Sequence, residues 1–343
     1  MEIKGNVVTI SEVCVNTNLK TSLAAPIMVA FDITNRCNLK CVHCFNHSGE
    51  NDNDVLSHED RMNIVDQIIE LNPYLVCLCG GETTCCSDLY QIIEKLSKKI
   101  PTINMVSNGY LIDKNTVKKL KEAKITNVQI SLDGINSMQH DTFRGKLGSF
   151  EKAINAIKLL RYENIPVLTS FVPNKLNYLD TYNYFKLCNE IGVNSARCMP
   201  FLPMGRGGSI GDKLILNNKE YFIFKRLLNK AISDFPTLLI EWGDPIDHMY
   251  RQPENANYGM DSYCMEIKSN GDLGVSAYFP IYVGNCLKHT LKEYWDAGYN
   301  KIWKNKNIQE RMKKIENIED FRKFNDMEKY VIDLCEDKNE IYN

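Results

Sequence analysis

The stretch "DITNRCNLKCVHCFN", residues 32–46, places Cys37, Cys41 and Cys44 in a C-x3-C-x2-C spacing directly after an apolar run. Four thiolates close a tetrahedral zinc site or saturate an iron–sulfur cubane. Three on one short loop hold three irons of a 4Fe-4S cluster and leave the fourth iron open to an outside ligand. No further cysteine follows until Cys77, which favours the open cluster. Structural zinc stays open because His43 and His47 are close by, although His43 would have to fold back beside Cys44. A loop of plain thiols is the remaining alternative.

A loop of this kind needs a scaffold, and the sequence has a matching period. From residue 28, apolar runs alternate with amphipathic stretches: "IMVAFDIT" reads as a buried strand and "SHEDRMNIVDQIIELN" as a helix with Ser57 as N-cap. The alternation repeats to "NSARCMPFLP", giving six strand–helix units of which the last helix is the least defined. Near-continuous apolar strands imply a parallel sheet covered on both faces, with right-handed crossovers. Six units predict an α/β fold, a partial (β/α)6 TIM-like barrel with its active site at the strand C-termini. "GGE" (80–82), "SNG" (107–109) and "SLDG" (131–134) fall at the ends of strands 2, 3 and 4. After the glycine-rich "MGRGGSIGD" the pattern changes to a helix, a short strand "TLLIEW" and a hairpin with an Asn-Gly turn at 270–271. The expected divisions are an N-terminal flank (1–26), the barrel (27–208) and a small α+β C-terminal extension (209–343).

A formal charge of −2 with interspersed acids and bases argues against a nucleic-acid partner. The longest apolar run, "LAAPIMVAF", is too short to span a bilayer, and the N-terminus lacks a signal-peptide pattern. A cytoplasmic protein without membrane contact is expected. Thirteen cysteines in such a chain point to metal or catalysis rather than disulfides.

With its cysteine loop and strand-end motifs in order, the region of residues 27–200 resembles the radical S-adenosylmethionine (SAM) superfamily. The resemblance implies one 4Fe-4S cluster on Cys37, Cys41 and Cys44, and SAM as the ligand of the open iron. It implies that Gly80, Gly81 and Glu82 bind the SAM amino group, with Thr83 replacing the usual proline. Ser131 and Asp133 would take the SAM carboxylate and ribose, Arg144 would grip the carboxylate, and Asn108 would line the same pocket. Taken singly, these residues also read as turn glycines, solvated acids and a surface arginine. One electron delivered to the bound sulfonium would release a 5'-deoxyadenosyl radical that takes hydrogen from a substrate C–H bond.

The stretch from Cys264 is similar to the SPASM or twitch extension of radical SAM enzymes that modify peptides, with Ile267, Gly271, Asp272, Gly284, Asn285 and Trp295 in place. Ser276 stands where that extension has a cysteine, and the later C-x2-C run is absent. Cys264, Cys286 and Cys335 remain, so an auxiliary iron–sulfur cluster would have to recruit Cys198, and a metal-free extension is the expectation. Ala277 replaces the aspartate base of sulfatase-maturing relatives, which argues against formylglycine formation.

Cys335, Cys286 and Cys198 are candidate hydrogen-atom donors, as in peptide epimerases of the superfamily. Cys77 and Cys79 share one strand face and read as packing, while Cys85 and Cys86 sit nearer the mouth. Trp242 reads as core, with Glu241 and Asp244 as solvated acids or rim residues. A flank of some 25 residues is short for a winged leader-binding domain.

The function expected is hydrogen abstraction from a peptide or protein substrate, giving a crosslink or an epimerised residue, with a one-electron reductant such as flavodoxin or ferredoxin. Competing readings are the same chemistry on a small molecule, such as a cofactor precursor or amino sugar, and an iron–sulfur redox sensor without catalysis.

Overall fold

The computed structural model describes residues 22–50, 55–326 and 330–337, so most of the flank read as 1–26 lies outside the described residues. The six apolar runs form β1 (Met28–Thr34), β2 (Leu75–Gly80), β3 (Thr102–Ser107), β4 (Asn127–Ser131), β5 (Val167–Phe171) and β6 (Ser195–Cys198). They pair in parallel in that order. The crossovers are α1 (His58–Leu71), α2 (Leu89–Leu96), α3 (Lys114–Glu122), α4 (Ser137–Arg144), α5 (Ser149–Tyr162) and α6 (Thr181–Glu190). In α1 the Ser57 hydroxyl accepts from Asp60 N while Asp60 accepts from Ser57 N, which satisfies two N-terminal amides. Ile64, Val65, Ile68 and Leu71 then form one buried stripe against the sheet. The period alone did not reveal α4, a helix of only eight residues between the Asn136 cap and Gly145 in the left-handed region at φ +66°.

Two further parallel strands flank these six. α7 (Asn218–Asp234) leads to β7 (Leu239–Trp242), which pairs with β6. α8 (Pro245–Asn257) leads to β8 (Cys264–Ile267), which returns to pair in parallel with β1 at the opposite side. Strand "TLLIEW" and the first hairpin strand therefore belong to the same sheet as the barrel. β7 forms where the sequence reads a short strand, and its half-buried pattern gave no sign that it joins the barrel sheet. The hairpin continues through β9 (Asp272–Gly274) and β10 (Ile281–Asn285) to α9 (Leu291–Asp296) and β11 (Tyr330–Val331). Its Asn270–Gly271 turn forms as expected, with Gly271 at φ +87° and its N–H on Lys268 O. Among the described residues one 11-stranded sheet results, in the order β11-β10-β9-β8-β1 to β7, and β7 and β8 are not bonded to each other.

Strand alternation sorts side chains between two faces. Val29, Phe31, Val76, Leu78, Ile103 and Met105 lie in the core under the helices. Asp32, Cys77, Cys79, Asn104 and Glu266 take the opposite, inner face.

Two histidines, buried His140 and half-buried His248, make stability pH-dependent. His140 on α4 accepts Asp133 N–H on its Nδ1 at 3.0 Å, which requires the neutral ring. Burial, aided by the Arg144 charge, lowers its pKa to about 3. His248 on α8 lies edge-on to Tyr278 and Trp303, and burial lowers its pKa to about 4. Below the unfolded value near 6.5 the unfolded chain takes up these protons while the folded one resists. Stability is thus fully present above that pH and is lost as pH falls, by about 1.4 kcal/mol per unit per histidine. Urea midpoints measured from pH 7 to 4.5 should fall, and His248→Phe should flatten the curve; an unchanged slope would contradict this account.

Candidate active site

The loop after β1 is folded back on itself. Ser48 Oγ donates to Asn35 Oδ1 at 2.7 Å and Gly49 N to Asn35 O at 3.1 Å. β2 abuts it, with Gly81 N donating to Thr34 O and Glu82 N to Arg36 O, both at 2.8 Å. A side chain would forbid this approach: a Cβ on Gly80 (φ +129°) would lie 2.1 Å from Thr34 O, and one on Gly81 would lie 2.3 Å from Arg36 O. Glycine here serves the cysteine loop, and "GGE" is more than a strand-ending turn.

Glu82 is 1% exposed, and its carboxylate accepts from Thr84 N, Thr84 Oγ1, Ser107 Oγ and Asn108 N. It ties the end of β2 to the end of β3. Asn108 in turn donates from Nδ2 to Asn38 Oδ1 at 2.8 Å, which reaches the residue after Cys37. Asn38 Nδ2 is buried without a hydrogen-bond partner. Ser131, 8% exposed, ends β4.

Asp133 is 0% exposed and fully engaged inside the protein. Its Oδ2 takes Arg144 Nε at 2.7 Å and also Nη2, while its Oδ1 accepts Val172 N at 2.8 Å. Burial pushes the carboxyl up, and Arg144 pulls it back. Arg144 Nη1 reaches Cys41 Sγ at 3.8 Å. The two residues expected to hold SAM thus pair with each other and present the guanidinium to a cluster thiol.

Among the thiols, burial pushes Cys37 up to about 12 and raises Cys41 against the pull of Arg144. Of the histidines in the zinc alternative, His43 keeps a buried Nδ1 without a hydrogen-bond partner. His43 stacks on Phe143 at 3.8 Å, and His47 is bonded to Glu50.

Sequence reasoning missed Arg206, from the glycine-rich stretch. Its Nε donates to Cys41 O at 3.0 Å, its Nη2 to Ser48 O at 2.9 Å, and its backbone N to Cys44 O at 2.9 Å. A lone arginine between glycines carries no periodic signal. Losing such charge-assisted bonds costs about 1.5–3 kcal/mol each, so Arg206→Ala should release iron to a chelator several-fold faster than the parent. An unchanged release rate would remove the clamp role.

The hydrogen-donor candidates lie off the inner wall. Cys198 is buried in the core with its thiol on Glu241 O, and Cys286 is buried in the core, its carbonyl taking a bond from Gln67. Cys335 stands beside His289 and Asp333. The inner-face thiols are instead Cys77, Cys79 and Cys264. Cys77 and Cys79 touch at 3.3 Å, and Asn104 Nδ2 donates to Cys77. Trp242 packs on Phe224 as expected of core, and Asp244 caps α8.

A cavity of about 470 Å³ opens beside the cysteine loop. Phe45 and His47 line one wall, Met204 and Gly205 a second, and Lys268, Phe279 and Tyr282 of the hairpin a third. Lys268 Nζ lies 3.5 Å from Asp32 and 3.8 Å from Glu266; burial opposes its charge, but these carboxylates outweigh it and hold it protonated.

Residues 31–187 match the Radical SAM superfamily, a range that contains the cysteine loop and every strand-end motif above. This segment belongs to the radical SAM superfamily. This radical SAM protein is an enzyme, and its cofactors are a 4Fe-4S cluster and SAM. The three thiols, the glycine cradle and the unpartnered Asn38 donor fit such a cluster. It is 25% identical over 299 residues to the AdoMet-dependent heme synthase of Methanosarcina barkeri, covering 79% of this chain and 82% of that one. It is 27% identical over 295 residues to the subtilosin biosynthesis protein AlbA of Bacillus subtilis, covering 84% of this chain and 64% of AlbA, just under two thirds of its length. Streptococcus suis SuiB bound to precursor peptide SuiA shares the fold, with a TM-score of 0.63 at 17% identity over 92% of this chain and 77% of SuiB. No helix among the described residues is long and apolar enough to cross a membrane.

Proposed function

We propose that this enzyme abstracts hydrogen from a residue of a peptide or protein, giving a crosslink or an epimerised centre. The observation that carries the reading is the cavity of ligand-site size bounded by Phe45 and His47 of the cysteine loop and by Lys268, Phe279 and Tyr282 of the hairpin. Relatives support it: AlbA is a bacteriocin biosynthesis protein, and SuiB binds a precursor peptide.

Cys37, Cys41 and Cys44 would hold the 4Fe-4S cluster. When bound, that cluster and SAM together supply a carbon radical able to take hydrogen from an unactivated C–H bond. The Gly80–Gly81 backbone, Asn38, Asn108 and Ser131 face SAM. Glu82, Asp133 and Arg144 hold the strand ends and Cys41 in register, acting on SAM through the residues they position. The hairpin, a SPASM-like extension without an auxiliary iron–sulfur cluster, excludes water from the mouth. The reductant is a flavodoxin or ferredoxin, and the setting is the cytoplasm.

Similarity to the heme synthase over 79% of the chain favours a second reading, a small-molecule substrate such as a tetrapyrrole. Anaerobic enzyme with dithionite and SAM separates the two. Release of 5'-deoxyadenosine stimulated by a precursor peptide from a neighbouring short reading frame, carrying deuterium from the labelled peptide, is expected. Stimulation by an iron-coproporphyrin and by no peptide would sink the proposal.

A further inference from the structure

We propose that His289, Asp333 and Cys335 form a mononuclear transition-metal site of the zinc class, separate from the cluster loop and independent of the substrate reading above. Their donor atoms already lie within 4.8 Å of one another. A tetrahedral ion with bonds of about 2.0–2.3 Å sets its ligands about 3.3–3.8 Å apart. Closing by about 1 Å would complete three corners.

The fold brings these residues together from 44 positions apart in sequence (333 − 289). Past β11 the chain continues along β10, with Ile332 N donating to Tyr282 O at 3.0 Å and Leu334 N to Val283 O at 3.2 Å. Ile332 and Leu334 are buried, while Asp333 and Cys335, on either side of Leu334 at the turn that follows, are half-buried. His289 comes from the turn between β10 and α9, just before the Thr290 cap of that helix.

The surroundings orient these groups as outer partners orient metal ligands. Tyr294 lies against Gly284, where any Cβ would meet its ring at 2.1 Å. From there its hydroxyl donates to Asp333 Oδ2 at 3.0 Å and its ring stands edge-on to His289 at 5.7 Å. Asp333 Oδ1 accepts Cys335 N at 3.1 Å, which fixes the acid relative to the thiol. Each carboxylate oxygen keeps a lone pair for a metal. Glu336 Oε1, 3.7 Å from His289 Nε2, is within reach as a fourth ligand. Lys288, 3.8 Å from Asp333 and 60% exposed, swings into solvent when the ion binds.

One imidazole, one thiolate and carboxylates suit a borderline ion such as zinc(II), and a single cysteine cannot hold an iron–sulfur cubane. Ligation takes the Cys335 proton, which leaves to solvent. The ion would pin the chain after β11 to the turn after β10.

The test uses the full chain with its cluster reconstituted, dialysed against zinc(II) and freed of excess, with zinc and iron counted together. One zinc per chain is expected. His289→Ala and Cys335→Ser should reduce it to background at parental iron content. Cys335→His should keep zinc, since nitrogen can replace sulfur in the set. Replacing zinc by cobalt(II) should give a thiolate-to-cobalt absorption in the parent and none in Cys335→His. No zinc in the parent, zinc unchanged in both loss variants, or iron rather than zinc lost with Cys335 would each overturn the site.

Discussion

Cys41→Ala is expected to bring SAM cleavage to background, with loss of the iron chromophore and an unchanged far-ultraviolet dichroism spectrum. Partners one shell removed from a metal are worth about 10–100-fold, so removing a direct ligand should cost more than about 100-fold in 5'-deoxyadenosine release. Cys41 is the most buried of the three thiols at 8% exposure, and the one that receives Arg144. The nearby thiols Cys77 and Cys79 are held on the inner face of β2 by each other and by Asn104. Retained iron and turnover in this variant would remove the cysteine loop as the cluster site.

The second large effect is expected in stability. Arg144→Met leaves Asp133 at 0% exposure without its counter-charge. Removing one partner of a buried pair costs about 3–5 kcal/mol. The loss should appear as a lower urea midpoint at pH 7, and Asp133→Asn added to Arg144→Met should recover part of it, because the stranded charge is gone. A double variant less stable than the single would show that the pair is not coupled. Iron retention should also fall, since Cys41 loses its guanidinium neighbour, and the double variant should not restore that.

Much of this molecule is legible in its sequence, for physical reasons. The six central strands carry apolar residues toward the helices, and those helices carry caps such as Ser57 and Asp113 that announce where they begin. The cysteine spacing and strand-end glycines are local, so they survive without knowledge of the fold. What stayed hidden depends on distance. β8 lies 236 residues from β1 (264 − 28), yet Cys264 pairs with Met28 in the sheet. Pairing at that range leaves no mark in a short window. Asp133 just after β4 and Arg144 at the end of α4 were legible as charged residues, while their mutual bond was not, because pairing is decided by burial. The same holds for Arg206, whose three contacts all reach backbone atoms or a glutamate from another part of the chain.

The placement of β8 beside β1 also bears on the order of events at the ribosome. β1 emerges early, and one of its hydrogen-bonding edges stays unsatisfied until about 230 more residues have been made. An unpaired apolar strand edge invites association with other chains. Fragments ending near residue 208 should therefore precipitate rather than behave as autonomous units, and chaperone demand during synthesis should drop once residue 267 has cleared the exit tunnel.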